Sequence, residues 1–369
     1  MAEGFKIDQQ HGKSRIRVAR VWKNVDGSGD VIVEWNVAIS LFSDCLPAYT
    51  SGDNSAIVAT DSMKNTVYAK AKECTEVISM EGFAILLGRH FASFYPQVSA
   101  AVINIVEKPW ERVDVDGRSH SHGELAHVTI SSLTVSLRVA PNLEDFGICF
   151  RLGSEKHTTE VKVEKYGTVS ITSGIEGLAL LKTTQMLTTK ARAGSDLKEG
   201  RTEEISGEKD DGIDAQNSDL KKSGFEGFVR DHFTLLPETR ERMVATEVTA
   251  SWRYSLTHIS DIPAKQFCFT ERYLGVKKVL VDTFFGPPVE GVYSPSVQNT
   301  LYLMAKDVLN RFPDITSVKL RMPNIHFLPV NLSSKDKPNL VKFADDVYMP
   351  IDEPHGTIEA TLSRTMSRL

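Results

Sequence analysis

The chain predicts an α+β protein in two halves of similar element order, and three observations carry that prediction. Apolar residues recur at period two over Val31, Val33, Trp35, Val37 and Ile39 and again over Ala101, Ile103 and Ile105, as in half-buried strands. Helical spacing runs from Phe83 to Phe94 and from Val297 to Arg311, where Val297, Leu301, Met304, Val308 and Leu309 share one side. The order of elements before Pro109, two helices between strand pairs, is met again in the second half, although no repeat is visible at the level of residue identity.

Taken in order, the first strand is expected around Ile16–Val18 and the second over Val31–Ile39. The apolar run Ala56 to Ala59 then reads as a strand end from which Thr60 and Asp61 emerge, with a helix starting near Ser62. Either side chain can cap that helix, because both accept hydrogen bonds from free backbone N–H groups. Phe83–Phe94 is the next helix and Ala101–Ile105 the next strand. In the second half Glu160–Val163 and Val169–Ile171 read as strands. Phe225–Phe233 and Glu238–Met243 are placed around helices, and Thr246–Ser255 is read as strand. The helix Val297–Arg311 is followed by strand-like stretches at Val318–Leu320 and His326–Val330.

Composition narrows the function classes. In 369 residues, 41% are hydrophobic, enough for sizeable cores, and the net charge of −5 mixes both signs. That balance gives no basic face for nucleic acid and no polybasic membrane anchor. No apolar run approaches the roughly 20 residues that cross a bilayer, and the N-terminus lacks the apolar core of a secretory leader, so an intracellular, soluble chain is expected. Cys45, Cys74, Cys149 and Cys268 are scattered without a CxxC and read as free thiols. His120-Ser121-His122 has the alternation of a strand-borne metal pair but follows a DGRS turn and is read as surface loop. No GxGxxG, P-loop or HxxxH pair offers a cofactor site. A redox reaction here would need a substrate that is itself electron-rich.

Several ordered segments, HGKSRIRV at 11–18, YTSGDNSAIVATDSMKNTVY at 49–68, INIVEKPWERVDVDG at 103–117, SGFEGFVRDHFTLLPETRER at 223–242, YSPSVQNTLYLMA at 293–305 and RMPNIHFLPVNLS at 321–333, resemble the urate oxidase (uricase) family in its plant-like peroxisomal form. The resemblance implies two tandem T-fold (tunnelling-fold) domains, antiparallel sheets backed by helices, assembled as a homotetrameric barrel. It also implies cofactor-independent oxidation of urate by O2 and water to 5-hydroxyisourate and hydrogen peroxide. On this reading residues 11–123 are the first domain and 150–366 the second. Residues 124–149 and 186–222 stand outside the family pattern as apparent insertions, which would be gene-model artefacts. The stretch from Gly194 to Lys222, dense in charged and small residues without an aromatic, is expected to be disordered.

A planar purine calls for a guanidinium fork, an amide that donates and accepts, and an aromatic face. The resemblance assigns these to Arg242, Gln298 and Phe225, adds the Val297 backbone, and places Asn324 where it helps Thr60 hold O2. It implies a proton relay of Lys13, Thr60 and His326, with Thr60 and Asp61 coming from a neighbouring subunit. Read from local sequence alone, Arg242 in ETRER is equally a solvated helix residue, Gln298 a polar helix start, Phe225 ordinary core, Lys13 an exposed strand charge and His326 a bonded core histidine. Ser367-Arg368-Leu369 is a variant of the Ser-Lys-Leu peroxisomal address and implies an import receptor as partner. Two other readings stand beside the oxidase: a non-catalytic T-fold binding protein inactivated by its insertions, and another purine- or pterin-binding T-fold enzyme.

Overall fold

The structure, a computed structural model, describes residues 6–23, 31–115, 118–119, 121–122, 147–148, 150–183, 223–239, 242–262, 267–330, 332 and 347–365. Eight strands form one sheet: β1 (His11–Trp22), β2 (Val31–Ser43), β3 (Val98–Lys108), β4 (Lys156–Glu164), β5 (Val169–Lys182), β6 (Val244–Tyr254), β7 (Ile315–Pro329) and β8 (Tyr348–Ser363). They lie side by side in chain order and every neighbouring pair is antiparallel. Helices α1 (Thr60–Glu73) and α2 (Met80–Phe94) fall between β2 and β3, and α3 (Phe269–Phe285) and α4 (Val297–Arg311) between β6 and β7. The order strand, strand, helix, helix, strand, strand therefore occurs twice, closing with β4 and opening again with β5 across the turn at 165–168.

The period-two pattern decides which sheet face the helices cover. On β2 every second residue, Trp35, Val37, Ile39 and Leu41, is buried. Trp35 stacks on Phe83 of α2 at 4.8 Å between ring centroids. Phe83, Leu87 and Phe91 on one stripe of α2 are fully buried, each contributing about 1.5–3 kcal/mol by leaving water. Gly88 lets that helix close on the sheet, since a Cβ there would stand 2.6 Å from Val163 Cγ2 of β4. In the second unit Val276, Leu280, Leu301, Met304 and Val308 meet Val318 and Leu320 of β7 in the same way. Among the described residues no helix is long and apolar enough to cross a membrane.

Several expectations need correction. Ala56–Ala59 is turn and irregular chain, not a strand, and α1 begins at Thr60, two residues before Ser62. The described part of Phe225–Met243 holds no helix. Phe225 instead pairs with Thr239 across an isolated antiparallel bridge. Breakers explain this: Gly227 sits at φ 71°, where its N–H donates to Glu238 Oε1 at 3.0 Å, and the Asp231 carboxylate accepts from the Phe233 N–H in a local turn. The two stretches at 318–320 and 326–330 are one strand, β7. Helix α3 and edge strand β8 were not anticipated, although Phe269, Val276, Val279, Leu280 and Phe284 carry the helical spacing of α3. Residues 186–222, nearly all of 124–149, His120 and Ser367–Leu369 lie outside the described residues.

One buried polar network ties the two units together. Glu81 of α2 is fully buried and accepts from Ser173 Oγ of β5 at 2.5 Å, and it is 3.0 Å from His157 Nε2 of β4. The His157 ring stacks on Tyr273 of α3 at 3.9 Å. Burial by itself pushes the Glu81 carboxyl up, but the bonds from His157 and Ser173 outweigh it and hold the group below the usual carboxylate range. Its contribution is thus present at neutral pH and is lost as pH falls through that lowered value. Glu81→Ala is expected to lower the unfolding free energy by about 2 kcal/mol, because Ser173 loses its buried acceptor. Glu81→Gln, which keeps one acceptor oxygen, should lose less. Equal urea midpoints for parent and Ala variant would show that the network adds nothing.

Candidate active site

The first group of candidate residues sits where edge strand β1 meets α1. Lys13 pairs with Ile39 and Ile16 with Val37, so Ser14 and Arg15 together oppose one residue of β2, and Arg15 takes φ 59°. This bulge re-aims the strand beside Lys13, whose side chain is exposed. The approach of the strands leaves no room for a Cβ at Gly12, which would collide with the Ile39 carbonyl. His11 Nε2 lies 3.1 Å from the Val58 carbonyl and ties β1 to the turn before α1. Thr60, half-buried, opens the helix after Ala59, which offers no side-chain cap. Asp61 is paired with Lys64 at 2.8 Å and accepts from Asn65 at 2.8 Å. The bond to Lys64 above all, with Lys13 among the smaller causes, holds its carboxyl below the usual range. Lys13 therefore shares a locale with Thr60 and Asp61 of its own chain.

The second group gathers at the start of β6, the start of α4 and the middle of β7. The Arg242 N–H donates to the Ser223 carbonyl at 2.9 Å, and the guanidinium lies 5.3 Å over the Phe225 ring. Phe225 in turn stacks nearly parallel on Phe228 at 4.7 Å. Arg242 Nε is buried and has no hydrogen-bond partner among the described residues. Burial lowers the Arg242 pKa, though a guanidinium keeps its proton at any working pH. Across from it, Asn324 Nδ2 stands 3.4 Å from His326 Nε2. Burial first, and the Arg242 charge second, push the His326 imidazole below its ordinary value, so the ring is neutral at pH 7 and available to take a proton. Val297 is buried and Gln298 exposed in the first turn of α4, where backbone N–H groups lack helical partners and favour an anion. Ser296 caps this turn, its Oγ accepting from the Asn299 N–H at 3.1 Å. A serine just before a helical apolar stripe is a cap signal, so the role of Ser296 is legible in the sequence.

Strand β1 is one edge of the sheet and β7 lies next to the other, six strand spacings of about 4.8 Å apart along the sheet. One chain thus assembles Lys13, Thr60 and Asp61 in one place and Phe225, Arg242, Val297, Asn324 and His326 in another. Among the described residues no group of His, Cys, Asp and Glu side chains could hold a metal ion.

A family profile described as Uricase matches residues 9–129 and 217–359. The chain is 54% identical over 368 residues to a uricase of Arabidopsis thaliana, covering 100% of this chain and 99% of that protein. It is 55% identical over 369 residues to Uricase-2 of Phaseolus vulgaris, again covering 100% and 99%. Among solved structures, the uricase of Arthrobacter globiformis superposes with a TM-score of 0.70 at 26% identity, over 100% of this chain and 98% of that one. The sheet therefore represents two tandem T-fold domains, and the chain belongs to the uricase family.

Proposed function

We propose that the chain oxidises urate with O2 and water to 5-hydroxyisourate and hydrogen peroxide, the electron-rich purine anion supplying both electrons so that no bound cofactor is needed. The observation that carries this reading is the Arg242 guanidinium poised over the Phe225 ring with a buried Nε that no described residue satisfies. A flat anion stacked on Phe225 offers acceptors to that fork, while the amide of Gln298 and the N–H of Val297 meet another edge. Asn324 and Thr60 hold O2 and its reduction product above the ring. Protons leave through Lys13 and Thr60 and pass to His326, which is neutral and can accept them.

Since one chain keeps Lys13, Thr60 and Asp61 apart from Arg242 and His326, a second copy completes the site, and a homotetramer closed around a tunnel supplies that copy. Residues 124–149 and 186–222 are additions to the family plan arising from the gene model. The terminal Ser367-Arg368-Leu369 directs the protein, through the import receptor, to peroxisomes, where hydrogen peroxide is destroyed. Peptide mapping of the native protein and microscopy of a tagged chain lacking its last three residues check these two statements.

The purified chain is expected to remove urate's near-ultraviolet absorbance with equimolar oxygen uptake, unaffected by a chelator. If urate persists both with the full chain and with one lacking 124–149 and 186–222, the oxidase reading fails.

A further inference from the structure

The geometry points to Lys182 as a positioning residue for urate: its ammonium holds the stretch leading into α4 and, through Ser294, keeps Phe225 and Arg242 in place, an assignment that rests on the urate reading above. Lys182 is the last residue of β5, where a lysine would ordinarily reach into solvent. Here Nζ instead donates to the Phe284 carbonyl at 2.9 Å, the Val292 carbonyl at 3.2 Å and Ser294 Oγ at 2.6 Å, and stands 5.0 Å over the Phe284 ring. All three ammonium hydrogens are used.

Ser294 is the junction. It is buried, its hydroxyl also accepts from Thr300 Oγ1 at 2.8 Å, and its carbonyl accepts from the Gly224 N–H at 3.0 Å. Gly224 is bonded in sequence to Phe225, and Ser223 on its other side accepts from the Arg242 N–H at 2.9 Å. Ser294 also precedes Val297 and Gln298 by three and four residues. Displacing the ammonium would loosen the stacking ring, the fork and the helix start together.

The same link has a second consequence. Lys182 and Gly224 stand on either side of residues 184–222, each two positions away, and those residues lie outside the described ones. Both flanks are tied to Ser294, one through its hydroxyl and the other through its carbonyl. The position of Phe225 relative to the end of β5 is thereby set by contacts through Ser294.

Burial lowers the Lys182 ammonium to about 8, and the ionisable side chains beside the carbonyls it bonds are Asp282 at the end of α3 and Glu290 and Tyr293 in the stretch before α4. Deprotonation leaves two hydrogens for three acceptors and removes the charge.

Urate KM of Lys182→Met should rise about tenfold or more with kcat within about threefold, as loss of several charge-assisted bonds would dictate. Lys182→Arg, which can retain two of the bonds, should recover most of that affinity. The parent KM should climb as the pH passes about 8, and the Arg variant, whose charge does not titrate there, should lack that rise. A Met variant that is folded by circular dichroism and keeps the parent KM would overturn the proposal. If the Met variant does not fold, the parent profile decides: a KM flat from about pH 7 to about pH 9.5 removes the role assigned to Lys182. A parent chain without urate turnover would instead defeat the oxidase reading on which the role rests.

Discussion

Lys13→Met is expected to lower kcat for urate by about 10²–10⁴-fold, the usual contribution of a positioned acid–base group, while changing KM by less than about threefold. Lys13 stands at the edge of a β-bulge, exposed, and enters no ion pair among the described residues, so replacing it by an unbranched apolar side chain of similar length leaves packing intact. Its neighbours are Thr60 and Asp61, and Asp61 is itself committed to Lys64 and Asn65. In the relay proposed above, the Thr60 hydroxyl is the group Lys13 serves. Steady-state loss of urate absorbance, with unfolding midpoints recorded for both proteins, makes the measurement. A Met variant with the parent kcat would take Lys13 out of the relay.

Arg242→Ala is expected to raise urate KM by about 100-fold, as when a charge-assisted bidentate contact is removed, with a smaller change in kcat. The larger effect comes from combining the two lesions in different chains. If Lys13, Thr60 and Asp61 of one copy face Arg242 and His326 of another, each two-fold interface between a Lys13→Met chain and an Arg242→Ala chain holds one doubly damaged site and one intact site. Random pairing then restores about a quarter of parent activity at urate concentrations well below the Arg242→Ala KM, where each variant alone is nearly inactive. Co-expression with distinct tags, followed by purification of the hybrid, reads this directly. Hybrids no more active than the average of their parents would mean that the two groups do not complement one another across an interface.

Much of the fold was legible because burial leaves a local signature. Trp35, Val37, Ile39 and Leu41 alternate in sequence and are buried on one face of β2, and the stripe from Val297 to Leu309 emerges as α4 with the bounds expected of it. The stretch 225–243 misled because its apolar and charged residues look helical one at a time. Gly227, Asp231 and Pro237 nevertheless spread turn chemistry through it, and the Phe225–Thr239 bridge satisfies the backbone without a helix. Strand β8 escaped notice because its residues are mostly exposed at the sheet edge, so no alternation of burial was imposed on them.

The site divides along the same line. The residues proposed to carry the chemistry, Lys13, Thr60, Asp61, Phe225, Arg242, Val297, Gln298, Asn324 and His326, come from the family resemblance of the segments that hold them, and the hydrogen-bonding capacity and charge of each are legible in the sequence because they are properties of single positions. Where they stand was decided by the tertiary structure. The antiparallel order of eight strands sends Lys13 to one edge and His326 almost to the other, Lys182 becomes half-buried only when α3 and the stretch before α4 close over it, and the Arg242 field reaches His326 only once β6 and β7 pair. Contacts between residues far apart in the chain depend on register and packing, which local patterns of hydrophobicity do not encode.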